Sequence, residues 1–374
     1  MKIGFDAKRA FHNHSGLGNY SRFVIESLSK YYPYHHYFLY TTPYQKTAMH
    51  KFARRENIIV RCPRGLLYLL PSLWRTYGIA KAAEHDGIKI FHGLSHELPV
   101  GIEKTGIKTL VTVHDLIFMR YPEYYSRADV AIYKRKVVSA CHRADMIIAV
   151  SKQTKRDIID FLGIDESKIK VVYQGCDPQF YDAVSSAEKA EIKAKYSLPD
   201  NYILSVGTVE TRKNLLSIVR ATPFLPAEFS LVAVGKHSDY ANEVMKEVAK
   251  LGLSERVSFI NKADFKDFPG IYQQASAFVY PSEFEGFGIP ILEALNSGVP
   301  VIAARTSSLP EVGGEAALYI EPHDYQILAS HLNNILNDAD LRKRMTTEGV
   351  IQAKKFREKH TVPALWQAYL EVQS

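Results

Sequence analysis

Tyr280-Pro281-Ser282-Glu283-Phe284-Glu285-Gly286-Phe287-Gly288-Ile289-Pro290-Ile291-Leu292-Glu293 is the stretch whose reading decides the fold. The apolar run Ala277–Tyr280 before it reads as a buried strand. Ile289 to Ser297 reads as a helix, with Pro290 tolerated in the first turn and Gly298 at the end. Gly286 and Gly288 therefore fall in a strand-to-helix loop at the carboxyl end of a strand, where open α/β sheets bind ligands. Glycines let the backbone come close to a ligand, and a helix start aims free N–H groups at an anion. Glu285 sits in that loop. Glu293 sits inside an apolar helix between Leu292 and Ala294, where a carboxylate is costly without partners.

The same alternation extends over the whole chain. Ile3–Phe5, Tyr37–Thr41, Ile58–Arg61, Lys89–Phe91, Thr109–Val113, Met146–Val150 and Lys170–Val172 read as strands of a first half. Ile203–Val206, Ser230–Val234, Val257–Ile260, Ala277–Tyr280, Val299–Ala303 and Ala317–Ile320 read as strands of a second. Strands apolar on both faces, separated by helical patterns, imply parallel sheets covered on both sides. The expected fold class is α/β, with two doubly wound domains. The stretch Asp182–Asp200 is polar and strandless and holds the expected boundary. The domains are therefore placed at 1–182 and 183–355. A last segment, 356–374, carries Trp366, Tyr369 and Leu370 at helical spacing and is expected to cross back to the first domain.

Other segments carry candidate chemistry. Arg212 and Lys213 follow the first strand of the second half and are expected to open a helix, where charge and dipole together make an anion site. Gly16-Leu17-Gly18 follows the first strand of the chain, with a helix expected from Asn19 to Lys30. It lacks the full GxGxxG of a dinucleotide site. Val113-His114-Asp115 ends another strand, so His114 can face a ligand while Asp115 buttresses the loop. Asp338-Ala339-Asp340 matches a metal-binding DxD, but it falls between two helices, where Asp338 is more simply an N-cap. No metal is expected. His12 and His14 flank the glycines and are assigned nothing beyond acceptor contact. His35-His36 reads as surface.

The Glu285-x7-Glu293 pattern, embedded in EGFGIPILEA after YPS, resembles the signature of glycosyltransferase family 4, whose members have the GT-B fold. Val206-Gly207-Thr208-Val209-Glu210-Thr211-Arg212-Lys213-Asn214-Leu215 and Ser308-Leu309-Pro310-Glu311-Val312-Gly313 extend the resemblance over essentially the whole chain. It implies a retaining hexosyltransferase acting between two Rossmann-like domains. Glu285 would contact donor sugar hydroxyls, Glu293 the nucleotide ribose, Arg212 and Lys213 the diphosphate, and His114 the donor sugar. The loop of Gly16 and Gly18 would close over the diphosphate, and Gly286, Phe287 and Gly288 would complete the donor site. The GTVETRKNL form resembles bacterial surface-polysaccharide transferases, many of them mannosyltransferases. GDP-mannose is the first donor to test, ahead of UDP-hexoses and dTDP-rhamnose. The implied acceptor is a glycan or a lipid-linked glycan. No cofactor is implied beyond the nucleotide diphosphate sugar, which is a substrate.

Composition bounds these readings. The chain has 374 residues, 46% of them hydrophobic and 23% charged, as in ordinary globular proteins. Cys62, Cys141 and Cys176 are widely spaced and odd in number, which suits reduced core residues of a cytoplasmic protein. The start Met1-Lys2-Ile3-Gly4-Phe5-Asp6 reads as a strand rather than a signal peptide. No run approaches the length of a membrane span. Residues 1–182 hold 27 Lys+Arg against 17 Asp+Glu, a net of +10, and the remainder holds 20 against 23, a net of −3. A basic first half fits a phosphorylated or membrane-bound acceptor. Within it, Arg61 to Arg75 combines Arg61, Arg64 and Arg75 with leucines, Tyr68 and Trp74. This suits peripheral contact with the inner face of a membrane, the competing reading being that Leu66–Leu73 pack on the sheet while the arginines face water. A sugar-nucleotide epimerase would use the same donor site without an acceptor. A nucleic-acid-binding protein would account for the pI of about 9.0, but no nucleic-acid-binding motif is present, so none is expected as a partner.

Overall fold

The computed structural model describes residues 1–13, 16–45 and 48–374, with the side chains of Ala48, Met49 and Leu66 also outside the description. The chain divides into two compact units, Met1–Gly175 with Glu358–Ser374, and Cys176–Arg357. The junction falls at Gly175, ahead of the boundary expected at 182, because Cys176 and the 3-10 turn Pro178–Tyr181 pack into the second unit. Phe180 sets its ring against Phe265 and Tyr272 there, and Asn296 bonds the Cys176 sulfur. The return point is Glu358 rather than 356. Phe356 belongs to the second unit, edge-on to Phe287.

The first unit is built on a parallel sheet. Its strands are β1 (Lys2–Asp6), β2 (His36–Tyr40), β3 (Ile58–Arg61), β4 (Ile90–Gly93), β5 (Lys108–Val113), β6 (Met146–Ala149) and β7 (Ile169–Val171), in the order β3-β2-β1-β4-β5-β6-β7. The second unit repeats the plan with β8 (Asn201–Val206), β9 (Phe229–Val234), β10 (Val257–Ile260), β11 (Ala277–Tyr280), β12 (Val301–Ala304) and β13 (Ala317–Ile320), ordered β10-β9-β8-β11-β12-β13. Every pairing is parallel. Successive side chains point to opposite faces. In β4 Ile90 enters one core and Phe91 the other, and in β6 Ile148 and Ile147 do the same. Burial on both faces is why the strands read as continuous apolar runs. The strand order reverses between β1 and β4 and between β8 and β11, leaving a crevice at the carboxyl ends of each pair.

The Gly16–Tyr31 helix begins at Gly16 rather than Asn19, so Gly16 and Gly18 lie in a helical first turn and not in an open loop. A Cβ on Gly18 would stand 1.9 Å from the Asn13 carbonyl oxygen, so close backbone packing requires glycine there. The Glu358–Gln373 helix lies on this one, with Val362, Leu365, Ala368, Tyr369 and Val372 buried in the same core. Trp366 stacks on Tyr32 and His35, so His35 is tied into the fold rather than free at the surface, and Leu370 is exposed despite its helical spacing.

Candidate functional site

The second unit gathers its polar residues at the carboxyl ends of β8 and β11, the crevice where its strand order reverses. After β8 the chain makes a 3-10 turn, Thr211–Lys213, and Asn214 then takes φ +52° before the Leu215–Ala221 helix. Arg212 and Lys213 thus precede the α-helix rather than open it. The turn aims both side chains across at the loop after β11. There Glu285, buried, accepts through Oε1 from Lys213 Nζ, from Tyr280 OH at 3.0 Å and from Ser282 Oγ at 2.6 Å, and Arg212 Nη1 forms an ion pair with it at 2.7 Å. Arg212 also bonds Glu210 at 2.6 Å and the Phe284 carbonyl at 2.5 Å. Lys213 Nζ lies 4.7 Å from the Tyr280 ring centroid.

Burial alone raises a carboxyl pKa, but at Glu285 the charges of Arg212 and Lys213, with the hydrogen bonds, outweigh it and hold the group at about 2. Glu285 is therefore an anion at any working pH. Burial pulls Lys213 below its ordinary value, and Glu285 opposes that pull. The result is a buried anion whose Oε1 accepts from three donors and which two cations flank.

The loop backbone is fixed from a neighbouring segment. Ser307 Oγ accepts from the Glu285 N–H at 3.0 Å, and Ser308 Oγ reaches the carbonyls of Glu285 and Phe287 at 2.9 and 2.8 Å. Gly288 takes φ +111°, and a Cβ there would meet Leu309 at 2.9 Å, so this helix entry requires glycine. Gly286 lies in the same loop. The Phe287 side chain is buried against Phe356, and its carbonyl accepts from Ser308 Oγ. Glu293 is buried on the Ile289–Asn296 helix, and Oε2 accepts from Tyr272 OH at 3.0 Å. Burial first, and then the charge of Asp177, raise it to about 8, so this carboxyl is neutral where Glu285 is ionised.

In the first unit His114 stands at the end of β5. Its Nε2 donates to the Leu94 carbonyl at 2.9 Å, its ring meets the Tyr20 ring edge-on, and its backbone N–H donates to His96 Nε2 at 2.7 Å. Burial, then the neighbouring His96, lowers it to about 3, so the imidazole is neutral. His12 Nε2 is 2.9 Å from Thr42 Oγ1, and His14 lies outside the described residues. Asp115 accepts from the Ile117 N–H, as a loop buttress does. Asp338 accepts from the Leu341 N–H at 2.9 Å as an N-cap.

Sequence reasoning quoted Tyr280, Ser282 and Ser308 without giving them a part, and missed Ser307. Their roles are contacts across segments, to which local spacing is blind.

Comparison with known proteins gives consistent results. Residues 188–350 match the family described as glycosyl transferases group 1, and residues 15–180 match glycosyltransferase family 4. The chain is 31% identical over 324 residues to O-antigen chain mannosyltransferase B of Escherichia coli, covering 85% of this chain and 81% of that protein. It is 29% identical to O-antigen chain mannosyltransferase RfbU of Salmonella typhimurium, over 71% of each chain. Among solved structures, HepE of Anabaena in complex with UDP and glucose superposes with a TM-score of 0.77 at 19% identity, over 99% of this chain and all of that one. WaaG, a glycosyltransferase involved in lipopolysaccharide biosynthesis, superposes with a TM-score of 0.69 at 15% identity, over 97% of each chain. These two share the two-domain GT-B fold.

Proposed function

The chain belongs to glycosyltransferase family 4, and from that membership we propose that it moves mannose from GDP-mannose to a glycan or lipid-linked glycan acceptor during surface polysaccharide synthesis. Relatives named as O-antigen mannosyltransferases support the sugar and the process. The observation that carries the site is the clasp of Arg212 and Lys213 on Glu285 at the carboxyl ends of β8 and β11. Two half-buried cations held around one anion are a preorganised cradle for a second anion. Arg212 and Lys213 hold the donor diphosphate, Glu285 meets the sugar hydroxyls, and the backbone of Gly286, Phe287 and Gly288 borders the donor. Glu293, neutral and hydrogen-bonded, faces the nucleotide ribose. In the first unit His114 is assigned to the donor sugar, and the helix start at Gly16 and Gly18 to the diphosphate.

In the reaction the bond between the sugar anomeric carbon and the diphosphate oxygen breaks, and a bond to the acceptor oxygen forms. The acceptor's proton passes to the leaving phosphate oxygen. Glu285 is a poor nucleophile, since the charges of Arg212 and Lys213 and the hydrogen bonds to its Oε1 stabilise the carboxylate and hold its pKa at about 2. This favours a front-face path with retained configuration over a covalent glycosyl intermediate. Arg212 and Lys213 supply the positive charge that the leaving group needs, so we propose that transfer needs no metal. We place the enzyme in the cytoplasm, in keeping with three free thiols.

Following nucleoside diphosphate release with GDP-mannose, UDP-hexoses and dTDP-rhamnose tests the donor. Release with GDP-mannose alone, persisting in EDTA, is expected. Release only with added Mg²⁺ or Mn²⁺ overturns the metal-free reading. Arg212→Ala with Lys213→Ala is expected to weaken GDP binding about a hundredfold while sparing guanosine. Equal weakening of both ligands contradicts the diphosphate assignment.

A further inference from the structure

From Arg61 to Gly78 the described leucines do not pack on the sheet, and two of the three arginines are held in ion pairs while Arg64 is exposed. Arg61 pairs with Asp86, and Arg75 is half-buried between Asp6 at 2.6 Å and Glu97 at 2.8 Å. These two arginines are structural. Leu67, Tyr68, Leu69, Leu70, Leu73 and Tyr77 are instead 44 to 72% exposed, while Trp74 turns inward, 6% exposed. Six large apolar side chains in eleven residues, all turned outward, form more exposed apolar surface than a lone surface leucine explains.

A second exposed element stands beside this one in the same unit. Glu97 accepts from both Arg75 and Lys136, which ties the segment to the Arg127–Arg143 helix, and the Val100 N–H donates to the Thr76 carbonyl. From Arg127 to Lys136 that helix is exposed at every position except Val130. It presents Ile132 and Tyr133 together with Arg127, Lys134 and Arg135. Its one acid over that span, Asp129, accepts from the Ser126 hydroxyl. Residues 62–78 contain no acid at all.

We propose that the exposed apolar residues of 67–77 and the basic start of the Arg127–Arg143 helix form one surface that seats the first unit on an anionic lipid bilayer. Leucines and tyrosines enter the headgroup boundary while the cations meet lipid phosphates, the division of labour of an interface-lying element. Charge selects the occupant. The surface is basic and apolar, with Arg127, Lys134 and Arg135 outnumbering Asp129, which complements anionic lipid, whereas a second copy of the same surface would bring like charges together. No described helix is long and apolar enough to cross a membrane, and the proposed contact lies at the headgroup boundary. The proposal goes beyond the transfer reaction and does not depend on it.

The test is co-sedimentation of the full chain with phosphatidylcholine vesicles and with vesicles that also contain phosphatidylglycerol. Binding is expected only to the anionic vesicles and to fall as salt is raised. Lys134→Ser and Arg135→Ser are each expected to weaken it about fivefold. Leu69→Glu with Leu73→Glu is expected to abolish it with the melting temperature unchanged, since both side chains are exposed. Equal binding to neutral and anionic vesicles, or wild-type binding by these variants, overturns the proposal. So does a dimer in sedimentation velocity that Leu69→Glu with Leu73→Glu dissolves, which would assign the surface to a second copy of the chain.

Discussion

Glu285 and Glu293 lie eight positions apart and carry opposite charge states, and partners rather than depth cause the difference. Both are buried to the same degree. Glu285 has two cations and two hydroxyls, so it stays ionised, at about 2. Glu293 has one tyrosine hydroxyl and a nearby Asp177, so it is raised to about 8. The clasp gives Glu285 a part in stability as well as in turnover, because a carboxylate that neutralises two half-buried cations also stabilises the fold. Glu285→Gln keeps the shape and removes the charge, which leaves Lys213 without an anion. The unliganded variant is expected to lose about 2–3 kcal/mol of stability as well as most of its transfer rate. A nucleoside diphosphate returns negative charge to the two cations, so it is expected to raise the melting temperature of the variant more than that of wild type. Thermal unfolding with and without GDP measures both effects, and an unliganded variant that melts with wild type contradicts the argument.

The elements show what local sequence can and cannot carry. All thirteen strands lie where apolar runs flanked by helical patterns place them, with ends moved by one or two residues, because burial on both faces writes itself into every position. The glycine turn at Gly16–Gly18 did not, since glycine marks either a loop or close packing, and only the Asn13 carbonyl crossing over Gly18 decides between them. In the Arg61–Arg75 segment the competing reading of packed leucines fails for a related reason. Arg61 and Arg75 find Asp86, Asp6 and Glu97, all distant in sequence or on other elements, and pairing of that kind has no local signature. The last helix was legible from Trp366 and Tyr369, but its anchor was not. Tyr369 OH lies 2.7 Å from His92 Nδ1, whose Nε2 is 2.8 Å from Thr112 Oγ1, itself 3.1 Å from Tyr20 OH. This buried chain ties the helix to β4 and β5 and reaches the tyrosine that packs on His114. Tyr369→Phe strands one ring nitrogen of His92 and is expected to cost about 1–3 kcal/mol. Chemical denaturation followed by fluorescence measures it, and a loss under half a kcal/mol would mean that the helix is held by its apolar face alone.

At the scale of the whole molecule, the two units share a plan but answer pH with opposite sign. In the first unit burial lowers His92 and His114 to about 3 and His96 to about 4. A histidine depressed in the fold contributes stability above its ordinary value near 6.5, and that contribution is lost as pH falls towards the folded value. His12 and His35 are lowered by burial too, and Asp157, raised by burial against the pull of Arg120, works the other way, as one group against five. In the second unit Glu293 is raised, so its contribution is full below about 4.5 and is lost as pH climbs to about 8. Glu285, depressed to about 2, weighs only below the ordinary carboxyl range. Between pH 7 and 5 the first unit should therefore weaken while the second strengthens, each group contributing up to about 1.4 kcal/mol per pH unit. The sequence supplies a selective probe, because both tryptophans, Trp74 and Trp366, lie in the first unit. The denaturation midpoint read by tryptophan fluorescence is expected to fall from pH 7 to pH 5. Over the same range, intrinsic-rate-corrected amide exchange along Ile289–Asn296 is expected to slow, and Glu293→Gln should abolish that slowing while leaving the fluorescence trend in place. If both signals move in the same direction, or if Glu293→Gln exchanges with the pH dependence of wild type, the charge states assigned to these buried groups are wrong.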